Sequence, residues 1–342
     1  MKKQWAFVKI TACFCLFLLI DSFCSLQGQE TEGFKPSGSP LIVLFGDYTT
    51  GLGKNNHEAG FNLTRSRMGY QYQVTPSLSA VSVLDVNAAG DTRTVNFHYA
   101  FLEWNYQDLT VDAGLVALSQ FAVQEAFWGR RYIEKSFQDL NGFCFDSDAG
   151  VSLKYRFTDW LDADVTVING EGTMHLNTNK TNRYGLGATL RPLAGLTLRA
   201  YLDIYGKPSL EPEPSVPLTI KNQSTIALFA GYRNEWFSLG AEYNRQTAKN
   251  FIGGNNYSGV SAYAGLPLGK RFDLFARYDY VDTETTGEYT FDWGSSVNKN
   301  TLIAGLEFHP VKHLQLSPNY RYIKPLAGDA SHFICLNVGF SL

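Results

Sequence analysis

Several things are scarce in this sequence, and each scarcity closes off a class of protein. Only one long apolar run is present, Ile10 to Ile20, and it is shorter than the roughly 20 residues a membrane-spanning helix needs. A bundle of such helices is excluded. The mean hydropathy of −0.16 agrees. Cysteine stands at five in 342 residues, three of them before residue 29, too few for a disulfide framework. Basic charge is not in excess: 29 Lys and Arg face 32 Asp and Glu, which removes nucleic acid as a partner. Methionine is rare at 3, whereas 24 Phe, 19 Tyr and 31 Gly point to a chain rich in strands.

Lys2, Lys3 and Lys9 lead into the apolar run, and small and polar residues from Ser22 to Gln29 follow it. This is the layout of a secretory signal peptide, residues 1–28, with the cut expected after Gly28. Cys24 would mark a lipoprotein, but Phe23 stands where a small residue is wanted. Export to an oxidising compartment leaves Cys144 and Cys335 in the mature chain, where pairing is chemically permitted.

From residue 41 onward the dominant pattern is alternation with period two, the spacing that sends successive side chains to opposite faces of a strand. Leu196, Leu198, Ala200, Leu202 and Ile204 form one face, and Thr197, Arg199, Tyr201, Asp203 and Tyr205 the other. Val151 to Phe157, Tyr184 to Leu190 and Phe272 to Tyr278 repeat it. A soluble sandwich would put the apolar face inside. A transmembrane barrel would turn it to lipid and line a watery lumen with the polar one. The segments are long for a sandwich, aromatics recur at their ends, and short and long connections alternate, all of which favour the barrel.

Sixteen strands are expected, at 41–50, 60–74, 78–86, 95–106, 109–116, 148–157, 161–169, 183–191, 196–205, 221–233, 236–246, 257–268, 271–280, 299–309, 313–322 and 331–342. Every odd-to-even connection is longer than the even-to-odd turns, as in an antiparallel barrel with both termini in the periplasm. Residues 29–40 read as a flexible tail and 41–342 as one outer-membrane barrel.

The longest connection, 118–147, carries Phe121, Val123, Phe127, Trp128, Tyr132, Ile133 and Phe137, too apolar to hang in water. An external cap or subunit contact would bury it, but a barrel of this size has room for it inside. Folded inward, it would narrow the pore and set Glu125, Arg130, Arg131, Glu134, Lys135 and Asp139 at the constriction, where fixed charge decides which solutes pass.

The sequence resembles the phosphate-selective porin O and P family in the broad sense. The resemblance rests on Arg65-Ser66-Arg67, on Phe127 to Lys135, on Asp146 to Val151, on Asn169 to Gly172 and on Leu316 to Tyr322. It implies a sixteen-stranded outer-membrane barrel, usually a homotrimer, whose third loop enters the lumen and which passes small hydrophilic solutes or ions, anions such as phosphate in the best-known members. Those members line the pore with lysines. Here the inward list holds one, Lys154, beside Arg65, Arg67, Arg156, Arg183, Arg191, Arg199, Arg233, Arg277 and Arg321, and acidic residues nearly match them. The resemblance also implies an aromatic last residue for the barrel-insertion machinery. This chain ends in Leu342, with Phe340 the last aromatic on the outward face.

The six His are scattered, no nucleophile has a positioned His, and His309 and His313 are separated by Pro310, so no catalytic, cofactor or metal site is expected. A disulfide between Cys144 and Cys335 could pin the loop to the wall. The leading expectation is a general diffusion porin in outer-membrane lipid. The alternative is a barrel plugged by its third loop, with an adhesion or structural envelope role.

Overall fold

The structure is a computed structural model and describes residues 33–53, 56, 58–89, 92–175, 177–178, 180–208, 219–285 and 299–342. The signal peptide at 1–28, residues 29–32 of the tail, and His57 lie outside the described residues.

Sixteen strands run in chain order: β1 (Ser37–Leu52), β2 (Ala59–Thr75), β3 (Leu78–Ala89), β4 (Thr92–Tyr106), β5 (Leu109–Ala117), β6 (Ser147–Thr158), β7 (Leu161–Ile168), β8 (Arg183–Leu190), β9 (Leu196–Tyr205), β10 (Gln223–Arg233), β11 (Ser238–Thr247), β12 (Asn255–Pro267), β13 (Phe272–Thr285), β14 (Lys299–Val311), β15 (Leu314–Pro325) and β16 (Ser331–Ser341). Each pairs antiparallel with its chain neighbours, and β1 pairs with β16, so the sheet closes into a barrel without edges. Two short helices, α1 (Ala122–Trp128) and α2 (Phe137–Leu140), lie in the connection between β5 and β6.

The two faces of the wall are inverted relative to a soluble protein. On β9, Ala200, Leu202 and Ile204 are exposed while Arg199, Tyr201, Asp203 and Tyr205 are buried. The pattern repeats on β10, where Ile226 and Leu228 are exposed, and on β16, where Ile334, Leu336 and Val338 are. An apolar exposed face on a closed ring is stable in lipid and costly in water. At the end where even strands turn into odd ones, rings pack in pairs: Tyr70 with Tyr72, Trp104 with Tyr106, Tyr155 with Phe157 and Phe272 with Phe308. The Tyr and Trp among them, apolar in body and polar at the edge, are the rings of an interfacial belt.

Two expectations are corrected. Residues 37–40 belong to β1 rather than to a tail, because they pair with Tyr70 to Gln73 of β2. Pro40 is tolerated there because β1 meets β16 only from Val43 onward, so its missing N–H falls on an unpaired side. The connection between β3 and β4 is not long: pairing continues to Ala89 and Thr92.

Candidate functional site

The connection from 118 to 146 is built by its own sequence before the wall receives it. α1 ends at Gly129, whose φ of +68° is the left-handed conformation glycine adopts without strain, and its N–H bonds to the carbonyl of Glu125. The sharp turn sends Arg130 and Arg131 in different directions. Arg130 Nε lies 2.9 Å from Glu307, and Arg131 pairs with Glu125 at 2.9 Å and with Asp139. Ser136 donates to Glu125 at 2.8 Å, and Trp128 Nε1 donates to the carbonyl of Glu134.

The segment then meets the buried face of the wall on strand after strand. Arg199 on β9 donates to the carbonyl of Ser119 at 2.7 Å and holds Asp164 of β7. Arg183 on β8 donates to Gln120 and Phe143 while paired with Asp203. Arg277 on β13 donates to the carbonyl of Lys135 at 2.7 Å. Arg321 on β15 reaches Glu134 at 2.9 Å and the carbonyl of Ile133, and Asn337 on β16 donates to the carbonyl of Tyr132. Tyr263 on β12 donates to the carbonyl of Gln124, and Gln246 on β11 to that of Phe143. Every buried backbone acceptor met in this way avoids the desolvation cost of standing unpaired.

Apolar contacts seat the same segment. Trp128, only 2% exposed, clusters with Tyr132, Ile133, Phe229, Tyr263, Phe275 and Ile303. Phe137 and Phe143 pack with Tyr257 and Val281, and Leu118, Phe121 and Cys144 with Val116 and Ile168. The wall makes room with glycine: a Cβ on Gly259 would come within 2.5 Å of Phe137, and one on Gly339 within 2.7 Å of Tyr132.

At β2 to β4 the contact is looser and more charged. Asp146 meets Arg67 at 2.8 Å, Arg65 at 3.5 Å and His98 at 3.5 Å, and Arg67 also holds Asp85. Burial alone would raise the Asp146 carboxyl, but the charges of His98, Arg67 and Arg65 outweigh it and hold it well below the usual carboxylate range. These residues, with Lys135, Asp139, Glu171 and His175, line a cavity of about 240 Å³. The Lys135 side chain is 52% exposed. Lys154 on β6, paired with Asp112 at 3.2 Å, lines a second cavity with Arg156 and Asp162.

The sixteen-residue expectation from the sequence therefore divides. Glu125, Arg131, Lys135 and Asp139 stand together, Arg65 and Arg67 face the end of the same segment, and Arg130 and Glu134 are spent on anchors to β14 and β15. Arg183, Arg199 and Arg277 are buried in ion pairs, not solvent-lined, while Lys154 and Arg156 remain on open wall. The possible bridge between Cys144 and Cys335 is not made: both are buried free thiols, Cys144 in the cluster with Val116 and Cys335 accepting a hydrogen bond from Thr49. Burial pushes the Cys144 thiol up to about 12. Sequence reasoning missed Asp146 and His98 as partners and Tyr263 and Asn337 as anchors, while Arg233, expected to face inward, donates to the carbonyl of Phe127. The only signal for Tyr263 and Asn337 was parity, a polar residue on the charged face of its strand, whereas Asp146 precedes β6 and His98 is the extra residue where β4 shifts register against β3.

Comparison with known proteins agrees with this architecture. Residues 147–336, more than half of the chain, match the family described as "Putative beta-barrel porin-2, OmpL-like". No curated protein matches the sequence significantly. Among solved structures, an anion-selective porin from Comamonas acidovorans superposes with a TM-score of 0.69 at 12% identity, covering 90% of this chain and 100% of that one. OmpF of Salmonella typhi, in complex with daunomycin, gives 0.67 at 13% identity over 89% and 97%. A trimer form of OmpT from Vibrio cholerae gives 0.61 at 12% identity over 90% and 100%. Likeness at this identity concerns the fold.

Proposed function

The chain belongs to this family of OmpL-like β-barrel porins, and from that premise we propose that it is a diffusion channel of the outer membrane for small hydrophilic solutes and ions. The observation that carries the reading is the reach of the 118–146 segment. Its contacts extend over β7 to β16 and back to β2 and β4, and a segment outside a closed ring lies against strands on one side only. A lumenal position leaves a path bounded by Lys135, Asp139 and Asp146 on the segment and by Arg65, Arg67 and Asp85 on the wall. Cations and carboxylates alternate around that path, which supports weak selectivity rather than a dedicated phosphate site. The reaction is passive and needs no cofactor or catalytic residue. The signal peptide at 1–28 is removed on export, and the barrel works as a homotrimer, an assembly one structural neighbour adopts.

The plugged barrel is the second reading. It is favoured by how completely the segment is anchored, with Trp128, Phe137 and Gln138 almost fully buried. Purified protein in planar bilayers separates the two: an ohmic opening supports the channel, and persistent silence of folded protein supports the plug. Reversal potentials in a salt gradient, with and without phosphate, then read selectivity. A strong anion preference abolished by phosphate would overturn the weak-selectivity reading.

A further inference from the structure

The barrel brings together three side chains of which the channel reading uses only Glu307, as the anchor of Arg130. Asp273, near the start of β13, stands directly across from Glu307 on β14. His309 follows two residues later, and the period of a strand puts it on the same face as Glu307. His309 Nε2 lies 3.0 Å from Asp273 Oδ2 and 3.7 Å from Glu307 Oε2, and one ligand atom from each residue lies within 4.8 Å of the others. Tetrahedral bonds of about 2.0–2.1 Å hold neighbouring ligand atoms roughly 3.3–3.4 Å apart. The two measured separations bracket that value.

We propose that Asp273, Glu307 and His309 form a binding site for a divalent transition-metal ion of the zinc type, at the mouth of the barrel where even strands turn into odd ones. One imidazole and two carboxylates are a donor set zinc accepts, whereas magnesium and calcium look for six or more oxygens. The remaining coordination position faces a cavity of about 390 Å³ that Gln315 and Ser341 also line, so water or a solute group can complete the sphere. The neighbours that orient the ligands are in place. Tyr132 donates to Glu307 Oε1 at 3.0 Å, which turns Oε2 toward His309, and Arg130 Nε lies 2.9 Å from Oε2. Arg130 balances one of the two carboxylates, so a dication has the second left to neutralise. Both Tyr132 and Arg130 belong to the 118–146 segment, and a bound ion would sit on the carboxylate that anchors it.

Calorimetric titration of zinc chloride into the folded, detergent-solubilised protein tests this and reads out whether or not the barrel conducts. One saturable equivalent is expected, unaffected by a hundredfold excess of magnesium. His309→Ala and Asp273→Asn should each weaken binding at least about tenfold, and Tyr132→Phe about tenfold through its hold on Glu307. Heat-modifiable migration of each variant in gels confirms that the barrel is folded. The absence of saturable zinc binding to folded wild type overturns the proposal. So does binding that survives His309→Ala and Asp273→Asn unchanged, or equal competition by magnesium.

Discussion

Arginine does two different things on the two sides of this barrel. On β8, β9 and β13, Arg183, Arg199 and Arg277 are each buried, each paired with a carboxylate on the wall, and each donate to the 118–146 segment. On β2, Arg65 and Arg67 keep part of their surface, share Asp146 with His98, and border a cavity. The first set fixes the segment's position, and the second meets whatever passes it. Identical side chains part ways because one set is covered by apolar clusters that exclude water and the other is not. Low dielectric strengthens a pair and makes its disruption expensive, while solvent weakens it and leaves its field available to a solute.

Removing a strut should have the largest effect. Arg277→Ala strands Asp279 without its cation and leaves the carbonyl of Lys135 unpaired, at a cost of about 3–5 kcal/mol. The temperature at which the barrel loses its heat-modifiable form should fall well below that of wild type. If Arg67→Ala costs as much, the two sides are not different in kind. Trp128→Ala should come next, at about 3 kcal/mol for the emptied site, with larger and noisier single-channel currents as the segment loosens. Unchanged currents would count against a lumenal segment.

Charge reversal on the open side should alter conduction while leaving stability within about 0.5 kcal/mol. Lys135→Glu is expected to move the reversal potential toward cation preference, since its side chain keeps about half of its surface exposed, whereas Lys154→Glu would cost more by setting a second carboxylate beside buried Asp112. Arg130→Glu and Arg131→Glu, by contrast, place new carboxylates beside Glu307 and beside Glu125 and Asp139, and should unfold the segment before they tune it.

The pH response is smaller still. Because the folded carboxyl of Asp146 titrates below its unfolded range, it contributes stability at every pH above about 4 and loses it only as pH falls through the lower folded value. Thermal stability of wild type should therefore show no contribution from Asp146 to any change between pH 8 and pH 4.5 and fall in stronger acid, whereas Asp146→Asn should remove that acid step. The smallest effect concerns the thiols. Native protein should resist alkylation and take up two equivalents once denatured, because Cys144 and Cys335 are both buried and free. No uptake under denaturing, non-reducing conditions, with two equivalents appearing after reduction, would restore the bridge.

Much of the fold was legible because a strand in lipid declares itself locally. Leu202 and Ile204 on one side and Tyr201 and Asp203 on the other are enough to assign faces, and all sixteen strands lie within a few residues of their expected bounds. The exceptions have local reasons of another kind. Ser37 to Pro40 look like tail because Gly and Pro weaken strand propensity, and only the partner strand β2 makes them a strand. The site was legible in part: Glu125, Arg131, Lys135 and Asp139 stand together as their crowding in one apolar loop suggested. The division of the arginines was not, since Arg65 and Arg199 have the same parity and differ only in what covers them.

Period-two alternation and the spacing of turns determined the barrel, its strand number and the apolar orientation of its outer face. These properties need only neighbours in sequence, since a pleated strand sorts its side chains by position alone. Closure and register decided the rest. They chose which carbonyl each buried arginine meets, kept Cys144 and Cys335 in separate clusters, and set Asp273 across from Glu307 beside His309. Such meetings join residues far apart in the chain, and nothing in a local pattern records the distance that folding removes.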